Sequence, residues 1–146
     1  MKEEFEAYCK KVDLSEIQIT RVDNIIQEYS KILNEPILDI FVNEQLTSEG
    51  TRIYLTLWLF TESFCAEAKN FLSVDDFDIA AYKKRVKYFS INKSEFIFGQ
   101  APTKKSNMSI TASLTDLLIC QLRASGDNCL ALVEIYNKFF LPNLIK

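Results

Sequence analysis

RIYLTLWLFTESFCAEAKNFL, Arg52–Leu72, decides how this chain is read. Ile53, Leu55, Leu57 and Leu59 recur at every second position, the period of a strand face. Tyr54, Trp58 and Phe60 occupy the positions between them and are also apolar. A strand that is apolar on both sides needs two covers. The reading that follows is a second strand packed inward in a strongly curved sheet, with its outer face under the N-terminal helix. A partner chain is the rival cover.

Outward from this stretch, the period changes twice. Before it, Val22, Ile25, Ile26, Tyr29, Ile32 and Leu33 lie at helical spacing with charged residues between them. Asp13-Leu14-Ser15-Glu16 reads as a capping box with Asp13 as N-cap, and Pro36 ends the helix. Glu3–Lys10 forms a shorter helix ahead of it. After Pro36 the period falls to two. Ile37–Leu46 is a strand, Thr47–Gly50 (TSEG) a turn and Arg52–Phe60 the returning strand. Phe64–Phe71 reads as a third strand, with a helix as the open alternative because Phe64, Ala68 and Phe71 also fit helical spacing. Tyr82–Ile91 reads as one strand, Asn92–Ser94 as a tight turn and Glu95–Phe98 as the strand that pairs back. Met108, Ile110, Ala112 and Leu114 alternate with polar residues in a half-buried strand, and Leu117–Arg123 is the last one. Gly126 breaks the chain. Asp127 or Asn128 caps a final helix, which Pro142 ends.

The expected fold is α+β in one domain spanning 1–146. An N-terminal helical segment (1–35) precedes an antiparallel sheet or partly open barrel of about six to seven strands (37–124). A C-terminal helix (127–141) follows. A chain of 146 residues can bury a continuous core without metal or disulfides, since about two thirds of its unfolded surface disappears on folding.

Composition narrows the chemistry. The chain has no histidine, which removes Ser-His and Cys-His nucleophile activation and His-ligated zinc, and argues against most kinds of enzyme. Its formal net charge of -3 argues against nucleic acid and anionic membrane as partners of the whole surface. No apolar run approaches the ~20 residues of a membrane span, and MKEEFEAYCKK is too polar for a signal peptide. The expected setting is cytoplasmic. Cys9, Cys65, Cys120 and Cys129 form no C-x-x-C pair and read as buried small hydrophobes. No cofactor and no metal site is expected. Asp75, Asp76 and Asp78 read as a solvated acidic loop, because a hard cation needs oxygens converging on one point.

The order of elements resembles the pleckstrin-homology-like superfold, seven strands and a capping C-terminal helix. LWLFTESFCAEAKN is similar to its second-to-third-strand hairpin and KKRVKYFSINKSEFIF to its middle strands, so the resemblance covers roughly residues 37–141. Phosphoinositide-binding members carry several Lys and Arg around the first hairpin loop. Here that loop, Leu46–Arg52, holds one acid and one base, which speaks against a lipid headgroup; many domains of this superfold bind proteins instead, and fold alone does not choose.

Two basic stretches are the candidate contact residues. Lys83, Lys84, Arg85, Lys87 and Tyr88 form a cationic run with interleaved aromatics that would steer an acidic partner; the plainer reading is an edge strand whose lysines block sheet-to-sheet aggregation. Lys104 and Lys105 belong to GQAPTKKS, Gly99–Ser106, a P-loop pattern at every position but the second glycine, which is Lys104. Because a strand-like segment follows it, the expectation is a solvated basic loop. Three functions are compatible with these features. The first is a non-enzymatic protein-interaction module working through sheet edge and aromatic surface. The second is a small-ligand or lipid-headgroup binder, or a histidine-free enzyme, with a cavity in the curved sheet and Arg52, Glu62 and Asp116 as polar anchors. The third is a self-associating homodimer.

Overall fold

The protein is described by a computed structural model covering residues 1–73, 78–115 and 119–145. The class is α+β, as expected. Two helices, α1 (Glu3–Lys11) and α2 (Glu16–Leu33), precede β1 (Asp39–Leu46), β2 (Arg52–Phe60), β3 (Phe64–Lys69) and β4 (Asp78–Lys83). Then come β5 (Val86–Ser94), β6 (Asn107–Leu114), β7 (Cys120–Ser125) and α3 (Asn128–Ile135). All pairings between these strands are antiparallel. They build two sheets, β1-β2-β3-β4 and β5-β6-β7, where the sequence suggested one.

The division falls inside the segment read as one strand, Tyr82–Ile91. Lys84 N donates to Ser63 O (3.2 Å), the last bond of the first sheet on this side, and Thr115 N donates to Arg85 O (3.1 Å), the first of the second. Between them Arg85 N donates to Lys83 O (2.9 Å), a three-residue turn that swings the chain from one sheet to the other. β5 then runs through Asn92–Ser94, which is therefore not the turn. Glu95 stops it with a left-handed backbone (φ 53), and Glu95–Phe98 does not pair back. Phe96 is buried, and β6 supplies the antiparallel partner. The third segment is a strand, not a helix.

The helix caps also differ from expectation. Ser15, not Asp13, caps α2: its Oγ accepts from Gln18 N, and the Gln18 side chain accepts from Ser15 N. Asp13 sits in the turn between α1 and α2 with φ 65 and uses its carboxylate elsewhere. Asn34, in the left-handed region, terminates α2. Neither Asp127 nor Asn128 caps α3 with its side chain. Beyond Ile135 the helix widens into a π-type turn, Tyr136–Phe140, and then tightens at Leu141–Asn143.

The two covers of β2 are both intramolecular. A β-bulge opposite Asn43 and Glu44 leaves Leu55 as an extra residue, because Asn43 faces Thr56 while Glu44 faces Tyr54. A bulge reverses the facing of everything beyond it. So Leu57, Leu59 and Tyr54 face the N-terminal helices, while Ile53 and Leu55, expected on that face, stay exposed. Ile19, Val22, Ile25 and Tyr29 of α2, with Phe5 and Cys9 of α1, close over Leu57, Leu59, Ala66 and Ala68. Each large aliphatic group taken fully from water here contributes roughly 1.5–3 kcal/mol. On the other side, Phe41, Trp58 and Phe60 meet Met108, Ile110 and Leu122 of the second sheet and Leu132 and Ile135 of α3. The expectation that the N-terminal helix covers one face of β2 therefore holds.

Candidate functional site

Two junctions hold the sheets together, and they have opposite chemistry. At the first, β1 lies beside β7 without a backbone ladder, and side chains fill the gap. The Asn43 carboxamide donates to Gln121 O (3.1 Å) and accepts from Arg123 N (2.7 Å), doing for β7 what a neighbouring peptide group would do. Glu44, buried, accepts at Oε1 from Ser125 N and Ser125 Oγ (both 3.0 Å) and from Asn128 Nδ2 (3.2 Å). Its Oε2 lies 2.6 Å from Arg52 Nε, close but outside hydrogen-bond alignment. Arg52 also reaches Asp13 (3.0 Å). Tyr8 accepts from Val42 N (2.8 Å) and donates to Asn128 Oδ1 (2.7 Å), while Asn128 Nδ2 donates to Val42 O (3.0 Å). Burial first, and then the nearby Glu44 charge, push the Tyr8 phenol well above its usual pKa, so it stays a neutral donor. We call this junction the seam.

A cleft of about 410 Å³ opens at the outer end of the seam, lined by Gln45 and Leu46 of β1, Asn92 of β5, Ser109 of β6 and Gln121 and Arg123 of β7. Register explains the convergence: Asn92 faces Ser109 and Ser109 faces Arg123, so the three stand in one row across the second sheet.

The other junction is the β4–β5 turn, which carries the sequence-predicted cations. We call it the corner. Its residues have divided roles. Lys84 Nζ donates to Thr61 O (3.0 Å) and lies 4.8 Å from the centre of the Phe139 ring, so it fastens the corner to the β2–β3 turn and to the C-terminal turn. Glu35 supports the same place. It accepts from Ser63 Oγ (2.7 Å) and Thr61 Oγ1 (2.6 Å), and these bonds, Ser63 first, lower its carboxyl pKa. Lys83, Arg85, Lys87 and Tyr88 are exposed. A shallow pocket of about 290 Å³ lies against Lys83, Lys84 and Arg85, bounded by Glu62, Phe64 and Asn143.

Lys104 and Lys105 do not join this patch. Their loop leads into Asn107, which pairs with Ser94, whereas Lys87 stands at the other end of β5. Seven residues of strand at about 3.3 Å each separate the two basic groups by roughly 23 Å. The loop is also no phosphate cradle. Ser106 is buried, accepts from Thr103 N (2.9 Å) and donates to Glu95 O (2.5 Å), and β6 follows it in place of a helix. Of the anchors expected for a ligand cavity, Arg52 is committed to Glu44 and Asp13, and Glu62 lies beyond the opposite end of β2. Asp116 falls outside the described residues, as do Asp75 and Asp76 of the acidic loop. Among the described residues, no three His, Cys, Asp or Glu side chains converge on a metal position.

Three of the four thiols are poor nucleophiles. All four cysteines are buried and unlinked. Burial pushes Cys9 and Cys120 up to about 12 and Cys129 up to about 11, so each is protonated at neutral pH. None of the described helices is long and apolar enough to cross a membrane. Of the seam, sequence reasoning singled out Arg52 alone as a candidate functional residue, and for a different role. A comparison with family models, curated proteins and solved structures returns no match.

Proposed function

We propose that the protein is a non-enzymatic interaction module that takes an extended acidic segment of another protein along the outer edge of β5, beginning at the corner. One observation carries this reading: β5 is the terminal strand of its sheet, with exposed Arg85, Lys87 and Tyr88 at one end and Lys93 near the other. An edge strand offers main-chain donors and acceptors, and flanking charges choose what adds to it. Among the described residues, only the first position is occupied from within, where Val86 pairs with Leu144 and accepts from Ile145 N (2.8 Å). Four unlinked buried thiols support a reducing, cytoplasmic setting.

The test is a display library of short linear peptides selected on the wild type and on a Lys83/Arg85/Lys87→Glu variant. Lys84 is left intact because it is part of the scaffold. The expected result is enrichment of acidic peptides on the wild type alone, with affinity that falls as salt rises. Equal recovery of the same peptides by the variant would refute the proposal.

A further inference from the structure

The cleft at the end of the seam holds a charge that the fold leaves over. Two charged residues line it, Glu44 and Arg123. Glu44 is spent internally, with three donors on one oxygen and the Arg52 guanidinium on the other. Asp13, on the far side of Arg52, has an 80% exposed side chain and is screened by water. Arg123 has no ion-pair partner among the described residues. Its contacts instead position it: the buried Asn43 carboxamide holds its backbone, and the Gln121 side-chain oxygen accepts from its Nη2 (3.0 Å).

The surroundings say what kind of anion suits it. Gln45, Asn92 and Gln121 carry carboxamides and Ser109 a hydroxyl, so the walls offer donors and acceptors without further charge. Neighbouring strands lie about 4.8 Å apart, which places hydrogen-bonding groups roughly 5 and 10 Å from Arg123 along the Arg123–Ser109–Asn92 row. A planar guanidinium matches a carboxylate edge in a two-point bond. One cation matches a single negative charge and not a phosphate dianion. The volume, about 410 Å³, lies toward the lower end of the ~300–1,000 Å³ of small-molecule sites.

We infer that this cleft binds a small monocarboxylate bearing hydroxyl or amide groups, with Arg123 on the carboxylate and Ser109 and Asn92 on the polar body. A polyhydroxy acid and the free C-terminus of a peptide both present this chemistry. The site is independent of the corner, whose cations lie toward the other end of the same sheet.

The experiment is a titration of isotope-labelled protein followed by amide NMR, with gluconate and with acetyl-triglycine as probes. Gluconamide, acetyl-triglycine amide and sulfate are the controls. The expected result is saturable shifts at Gln121, Arg123 and Ser109 with at least one carboxylate at millimolar concentration, and none with the two amides. The carboxylate that saturates identifies the source. Arg123→Gln should weaken binding about tenfold, the loss of one charge-assisted hydrogen bond, with Arg123→Lys in between. The inference is overturned if neither carboxylate saturates the cleft, if the amides or sulfate bind as well, or if Arg123→Gln binds unchanged. Should Arg123→Gln fail to fold, the wild-type contrast between each acid and its amide decides alone.

Discussion

The seam and the corner do the same mechanical job with different materials. Each carries the structure from one sheet to the other. At the seam, chain segments about 80 residues apart in sequence meet through buried polar side chains, for example Glu44 with Ser125 (separation 81). At the corner, two consecutive residues make the crossing covalently, which leaves the Arg85 side chain for the surface. A junction built from side chains spends most of its buried polar atoms on one another, and it meets solvent only where the cleft opens at its end. A junction built from backbone can display what it carries. That difference separates the scaffold from the candidate contact surface more firmly than charge alone does.

If the comparison is right, damage at the seam is far costlier than damage at the corner. The largest expected effect is Glu44→Ala. It strands the Ser125 amide, takes one of its bonds from Asn128 Nδ2 and leaves the Arg52 guanidinium with the exposed Asp13 alone. Breaking a buried pair costs about 3–5 kcal/mol, and the lower end applies because the Arg52 side chain is 19% exposed. Urea unfolding should show a lower midpoint with an unchanged slope; a loss under 1 kcal/mol would make the seam ornamental. Asn43→Leu, of similar size, removes the partners of Gln121 O and Arg123 N and should cost about 2 kcal/mol in the same assay.

Alkali gives a subtler probe of the same region. Cys120 opens β7 and Cys129 lies in α3, while their thiol pKa values rise from 9.0 to about 12 and about 11 through burial. A thiol held protonated in the fold but ionised in the unfolded chain stabilises fully below pH 9, and that contribution is lost as pH rises toward the folded value. Stability should therefore be level from neutrality to about pH 9 and fall above it, by ~1.4 kcal/mol per thiol for each further unit. Cys129→Ala should flatten part of that slope. A slope identical to the wild type's would show that the Cys129 thiol is not the group being titrated.

Much of the fold was legible because it is local. The helical spacing of Val22, Ile25 and Tyr29 survives as the buried stripe of α2, and Gly50 takes the positive φ its turn requires. Failures came where a local signal was ambiguous or absent. Asp13 and Ser15 are both good N-caps two residues apart, and only the fold shows that Asp13 is drawn off to Arg52. A bulge adds one residue without altering the apolar count, so the reversal at Leu55 left no mark on the alternation. Nothing in Tyr82–Ile91 announces a change of sheet, because both halves are β-prone and cationic. The corner's cations could be read from composition, but not that Lys84 is structural. The seam was invisible: Asn43, Glu44, Asn128 and Tyr8 are ordinary polar residues until the fold brings them together.

The smallest effects test the division of labour inside the corner itself. Lys84 and Arg85 are adjacent, both cationic and both in the predicted contact run, yet Lys84 is bonded into the scaffold while Arg85 stands exposed. Lys84→Met keeps the aliphatic stem but loses the bond to Thr61 O and the charge over Phe139; the expected cost is about 1 kcal/mol. Arg85→Ala removes a side chain that stands in solvent, and should move stability by less than about 0.5 kcal/mol in either direction. The peptide readout should invert that order, with Arg85→Ala weakening an acidic ligand and steepening nothing in the unfolding curve. Parallel urea and peptide titrations on the two single variants decide it. If both residues change stability alike, the corner is simply more scaffold, and the display of charge at a backbone junction is no longer a guide to where this protein meets its partner.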